Sequence, residues 1–238
     1  MDKLSNLKTI LFDSGHTLNY PRTGNWFIPP NFFKFIDKSA FASIKPDRIY
    51  GAISKAMNYL NSNHSVPDEA TEYEQFIEFY RMLSLEFPEL KISNTAISEI
   101  AKDTVFNDEK FVFYEDVMEM IPKLSQNYML GIVSDTWPSL ERVFINAGLR
   151  KYFSSFVMSS SLGVCKPDPI MFQTALSELG VRPCEALFVD DSIKNIEGAK
   201  VLGIQTVLML REDNGKAGSD IGYPYITNLK ELESILQE

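Results

Sequence analysis

The 238-residue chain has only two cysteines, two histidines and two tryptophans, and fewer basic than acidic residues, 23 Lys and Arg against 32 Asp and Glu. No apolar run approaches the roughly 18 residues of a membrane-spanning helix. Each shortage removes a class of answer. Cys165 and Cys184 are too few for a disulfide framework and lack metal-site spacing, so both read as structural. A net charge of −9 argues against nucleic acid and membrane partners, whose anionic surfaces need excess Lys and Arg to displace counterions. It leaves room for a small anionic ligand held by a few local basic groups. The opening MDKLSNLKT has no apolar leader segment. The expectation is a cytoplasmic monomer or homodimer. What is present, 45% apolar and 23% charged residues, suits a globular chain that buries one large domain, or one domain with an insert.

Five short apolar runs are continuous rather than alternating, the pattern of strands buried on both faces of a parallel sheet. They are TILF (9–12), YMLGIVS (128–134), FSSFVMSS (153–160), ALFVD (186–190) and QTVLML (205–210). Helix patterns separate the later runs. One has Asp168 as N-cap, Pro169 at the first helical position and Gly180 as its stop; the next runs from Ser192 to Gly203. This alternation predicts an α/β fold with a doubly wound parallel sheet.

The first strand is separated from the second by about a hundred residues with helical spacing and no convincing strand. Ile49, Ile53, Met57 and Leu60 share one stripe, and Phe76, Tyr80 and Leu83 another; further helices are expected over about 31–43 and 93–106. Residues 19–110 are therefore expected to form an inserted helical bundle, and 1–18 with 111–238 the α/β domain. The aromatics Phe32, Phe33, Phe35, Phe76, Phe79 and Tyr80 read as bundle core. His64 reads as an exposed loop residue, and Trp26 as packing.

Polar residues punctuate the strand ends. Asp13 follows the first strand, Ser134 ends the second, Lys166 precedes the helix after the third, and Asp190 and Asp191 close the fourth. In an open parallel sheet these ends share one edge, where ligands bind. Carboxylates there suit a hard cation such as Mg²⁺, and a hydroxyl with a lysine suits a phosphate.

In these stretches the chain resembles the haloacid dehalogenase-like superfamily. ILFDSGHTL is similar to its motif I, usually DxDGT; GIVSDT to motif II; CKPDPIMF to the lysine motif III; and LFVDDSIKNIEGAKVLGIQTVLM to motif IV. The insert after motif I resembles a C1-type cap. The resemblance implies a phosphatase acting on a small phosphorylated metabolite. Asp13 would be the nucleophile that forms an aspartyl-phosphate, and Mg²⁺ would lie between Asp13, the backbone carbonyl of Gly15 and Asp191, with Asp190 acting directly or through water. Lys166 would screen charge, Ser134 and the adjoining backbone at Asp135 would hold phosphoryl oxygens, and Asn195 would support the metal.

Gly15 departs from the motif, because most relatives carry there a second aspartate that protonates the leaving alcohol and activates water. Proton transfer of this kind is worth about 10²- to 10⁴-fold in rate. Its absence leaves a slower phosphatase or one for good leaving groups, a 2-haloacid dehalogenase (which resembles FDxYGT here), a phosphonate hydrolase (alanine here) or a non-catalytic phosphate binder. Adjacent Asp190 and Asp191 argue for metal and against the dehalogenase. A phosphonate hydrolase needs an imine-forming cap lysine, and Lys34, Lys38, Lys45 and Lys55 read as solvated helix residues. His16 has the chemistry of a proton carrier, but its place three residues beyond Asp13 need not point it at the leaving group, and a structural or loop-packing role is the reading preferred.

Overall fold

The structure, a computed structural model, describes residues 6–211 and 222–237; residues 1–5, part of the opening read for a leader, lie outside the described residues. The strands are β1 (Thr9–Phe12), β2 (Asn19–Pro21), β3 (Phe111–Phe113), β4 (Met129–Ser134), β5 (Phe153–Met158), β6 (Ala186–Asp190), β7 (Gln205–Met209) and β8 (Tyr225–Ile226). The helices are α1 (Phe32–Phe35), α2 (Lys38–Ala42), α3 (Pro46–Ser62), α4 (Glu69–Glu86), α5 (Asn94–Phe106), α6 (Glu115–Leu124), α7 (Ser139–Asn146), α8 (Ser159–Leu162), α9 (Pro169–Leu179), α10 (Ile193–Val201) and α11 (Leu229–Gln237). By its contacts the chain divides into two units: Met1–Tyr20, Phe113–Thr136 and Leu140–Glu238 form the first, and Pro21–Val112 with Trp137–Ser139 the second.

The first unit is built on a six-stranded sheet in the order β5-β4-β1-β6-β7-β8, parallel throughout. All four β1 residues are buried, as a central strand covered on both faces requires. Leu11 joins Val133, Phe172, Phe188 and Ile196 in one apolar cluster, and Ile10 and Phe12 are fully buried as well. Helix α9 starts as its sequence predicts, with the Asp168 carboxylate accepting from the Ile170 N–H at 2.9 Å, and Gly180 ends it in the left-handed region at φ 65°. Helix α10 approaches the chain so closely that a Cβ on Gly198 would lie 2.3 Å from the Cβ of Pro167. Gly198→Ala is therefore expected to lower stability by about 1–3 kcal/mol, read as a lower urea midpoint. An unchanged midpoint would show that the loop after Lys166 moves at no cost.

The second unit packs α3, α4 and α5 around Ala56, Leu60, Phe76, Phe79, Tyr80, Leu83, Ile97 and Ile100. Asp68 and Ser93 cap α4 and α5, accepting from Thr71 and Ala96. Several details differ from the sequence reading. The helix expected over 31–43 breaks at extended Ile36, and Asp37 caps a second short helix by accepting from the Ala40 N–H. Four-residue α1 turns one side inward, so Phe32 is buried while Phe33 and Phe35 are exposed at 41% and 38%. His64 is buried, its ring edge-on to Trp137. Both cysteines, Cys165 and Cys184, are exposed free thiols. The strand expected over 153–160 ends at Met158, because Ser159 and Ser160 turn to bond the Thr136 backbone. β2, β3 and β8 are two or three residues long and give no run to read. Lys34, Lys38, Lys45 and Lys55 are exposed, whereas Lys110, not singled out in the sequence, is buried over the rings of Phe76 and Phe111. Among the described residues no helix is long and apolar enough to cross a membrane.

Candidate active site

Strand register brings the polar residues of the first unit together. Phe12 pairs with Ile132 on one side and Val189 on the other, so Asp13, Ser134 and Asp190 leave the sheet at the same edge. The Asp13 N–H donates to the Val189 carbonyl at 2.9 Å, extending the ladder by one bond and fixing the carboxylate's origin. The chain then turns sharply: the Ser14 carbonyl accepts from the N–H groups of Thr17, Leu18 and Asn19, and the Asn19 amide donates to the Ser14 hydroxyl at 2.7 Å. Gly15 and His16 occupy this turn, and His16 takes up the left-handed conformation at φ 55°. Buried Arg211 anchors the turn, donating to the Thr17 carbonyl and pairing with both oxygens of Asp116.

Lys166 lies at the centre, buried, with Nζ 2.5 Å from Asp13 Oδ1 and 2.7 Å from Asp190 Oδ2. Its backbone N–H donates to Asp135 Oδ1 at 2.8 Å, which ties the lysine loop to the end of β4. Asp190 is fully buried and both its oxygens are engaged: Oδ1 accepts from the Ser192 N–H at 2.7 Å and from Asn195, and Oδ2 accepts from Lys166 and Asn195. Asn195 thus holds Asp190 through its amide. Asp191, next in the chain, is half-buried. Ser134 is buried at the strand end.

The electrostatics are unbalanced. Burial works against the Lys166 ammonium, but Asp13, Asp190 and Asp135 outweigh it and hold its pKa above the ordinary lysine value. Burial pushes Asp13 up to about 7; Lys166 opposes this, and Asp190 and Asp191 add to it. Asp191 is raised by burial and by Asp190, against the charges of His16 and Lys166. Three carboxylates crowd one ammonium, and Asp13, Asp190 and Asp191 each offer an oxygen within 4.8 Å of the others. A hard dication fits such a set, since it supplies the missing positive charge and takes oxygen ligands.

Two residues of the second unit went unread in the sequence. Glu72 and Gln75 lie four positions before Phe76 and Phe79, on the buried stripe of α4. Glu72 accepts from both the N–H and the hydroxyl of Ser139, at 2.8 and 2.7 Å, and Gln75 Oε1 accepts from the Trp137 indole N–H at 3.2 Å. Polar residues that continue an apolar stripe were the available signal.

The chain is similar to known proteins in sequence and in fold. The model of the family described as haloacid dehalogenase-like hydrolase matches residues 47–209, a stretch that begins in α3 and so excludes Asp13. A glyceraldehyde 3-phosphate phosphatase of Methanopyrus kandleri is 27% identical over 217 residues, 86% of this chain and 84% of that protein. An (S)-2-haloacid dehalogenase 4A of Burkholderia cepacia is 32% identical over 103 residues, 42% of this chain and 45% of that protein. Among solved structures, a HAD phosphatase from Thermococcus onnurineus has a TM-score of 0.64 at 24% identity, covering 97% of this chain and 98% of the other.

Proposed function

The chain belongs to the haloacid dehalogenase-like hydrolase family, and on that premise we propose that it is a Mg²⁺-dependent phosphatase of small phosphomonoesters, with the helical unit as a C1-type cap. One observation carries the choice over the dehalogenase: the surplus of carboxylates at Asp13, Asp190 and Asp191 around the single Lys166 ammonium. A reaction without metal gains nothing from that charge beside its nucleophile. Mg²⁺, when bound by Asp13, Asp191 and the Gly15 carbonyl, would neutralise phosphoryl charge as a Lewis acid.

In this reading Asp13 attacks phosphorus, the ester oxygen leaves as the P–O bond breaks, and water later cleaves the aspartyl-phosphate to regenerate the carboxylate. Lys166 keeps Asp13 oriented and screens the approach of one anion to another. Ser134 and the backbone N–H of Asp135 hold the phosphoryl oxygens. Asn195 and the Ser192 N–H hold Asp190, which in turn holds Lys166. The test is phosphate release from a panel of phosphomonoesters with and without Mg²⁺. Halide release from 2-haloacids that persists in EDTA would replace this reading with the dehalogenase, and tight phosphate binding without turnover would replace it with the non-catalytic binder.

The two motif IV acids separate by geometry. Protein donors already engage both Asp190 oxygens, so Asp191 is assigned the direct metal contact. Asp191→Asn is expected to raise the Mg²⁺ concentration for half-maximal activity by about tenfold or more, because a charged oxygen ligand is lost. Asp190→Asn should act more on stability than on the metal requirement. The reverse order of Mg²⁺ requirements would exchange the roles.

Gly15 gives a third expectation. With no carboxylate to protonate the leaving group, p-nitrophenyl phosphate should be hydrolysed about 10²-fold faster than an alkyl phosphate. Gly15→Asp should narrow that ratio. Equal rates on both esters in the wild type would show that another group, such as His16, supplies the proton.

A further inference from the structure

Three residues stand in one unit by contact and between two segments of the other by sequence. Thr136 and Leu140 belong to the α/β unit, yet Trp137–Ser139 belong to the helical unit. The side chains show why. The Trp137 ring lies 5.3 Å from Phe76 and edge-on to His64 at 5.7 Å, and its N–H donates to Gln75. Ser139 gives both its N–H and its hydroxyl to Glu72, a residue only 1% exposed. Burial pushes Glu72 up to about 7 despite the two Ser139 donors and the positive charge of Lys110, so holding a carboxylate there costs stability.

That turn begins directly after the groups that organise the site. Asp135 accepts from the Lys166 N–H, and Thr136 is fixed through its N–H and carbonyl to Ser159 and Ser160. Lys166 then reaches Asp13 and Asp190 through Nζ. An unbroken series of bonds and peptide links therefore runs from α4 to the nucleophile.

We propose that Glu72 and Gln75 are positioning residues which clasp the Trp137–Ser139 turn and so fix Asp135 and the Lys166 backbone that Asp135 holds. Neither touches the reacting atoms. The clasp makes the precision of the Asp13 and Lys166 pair depend on the helical unit, and its catalytic consequence rests on the phosphatase reading above.

The test uses the full chain and two readouts. In Glu72→Ala, amide hydrogen exchange at Lys166 is expected to rise about tenfold, while exchange in the core of α5 stays at the wild-type rate. In Glu72→Gln, whose amide still accepts from the Ser139 N–H and donates to its hydroxyl, exchange at Lys166 should return to the wild-type rate. Ser139→Ala, which keeps the buried carboxylate and removes one bond, should fall between and guards against an unfolded Glu72→Ala. Faster exchange confined to residues 137–139, with Lys166 unchanged, overturns the proposal. On p-nitrophenyl phosphate with Mg²⁺, Glu72→Ala should lose about tenfold in kcat with KM within about twofold, as misplacement of reacting groups predicts. A wild-type kcat overturns the positioning role. A wild type that turns over no phosphomonoester would sink the phosphatase reading alone, and exchange at Lys166 would still decide the clasp.

Discussion

Asp13→Asn is expected to slow phosphate release by roughly 10⁴-fold or more, the scale of loss when the nucleophile of a covalent mechanism is removed. The amide matches the carboxylate in shape and can still meet Lys166, so the loss should come without unfolding. The charge balance adds a second expectation. Asp13 is one of three carboxylates around one ammonium, and its ionised form is disfavoured by burial. In Mg²⁺-free buffer the Asn variant should therefore melt no lower than the wild type. Measuring kcat and melting temperature on the same preparations tests both. Turnover retained within tenfold of wild type would falsify the nucleophile assignment, and a large drop in melting temperature would mean that the carboxylate is a structural anchor.

Lys166→Met should be costly in both respects. Its ammonium, with a side chain 1% exposed, is the cation shared by Asp13 and Asp190. Methionine fills similar volume but leaves two buried carboxylates without that partner, a loss on the order of 3–5 kcal/mol for a broken buried pair. Turnover should fall by about 10²–10³-fold as well, since the repulsion between nucleophile and substrate is no longer screened. Urea unfolding at neutral pH, with and without Mg²⁺, is the measurement. Added Mg²⁺ should recover part of the stability because it supplies positive charge to the same oxygens. A variant as stable as wild type in metal-free buffer would show that the Lys166 ammonium contributes nothing to holding the two carboxylates.

The sequence announced the parallel sheet because its strands are buried on both sides and carry unbroken apolar runs, as TILF and ALFVD do. It announced the gathering of Asp13, Lys166, Asp190 and Asp191 because residues at strand ends share an edge once the strands are parallel. What it hid follows from the same physics. A three-residue pair such as β2 and β3 has no period to detect, and Phe33 has the same composition signal as Phe32 although a four-residue helix buries only one of them. Asp190 and Asp191 are chemically identical neighbours, and only the bonds from Ser192, Asn195 and Lys166 tell them apart. The burial of Lys110 and of Glu72 was invisible because each is an ordinary surface residue type when read alone.

The central position of β1 has a consequence for how the chain is made. Its partners are β4 and β6, and the second of these leaves the ribosome more than 170 residues after Phe12. At ordinary translation rates that interval is roughly ten seconds or more, during which a strand that is fully buried in the finished fold has no partner along one or both edges. The intervening helices, rich in local contacts, are able to fold during the wait. A nascent chain stalled before Ala186 should therefore display a compact, protease-resistant helical segment while the strand that leads into Asp13 remains a target for chaperones.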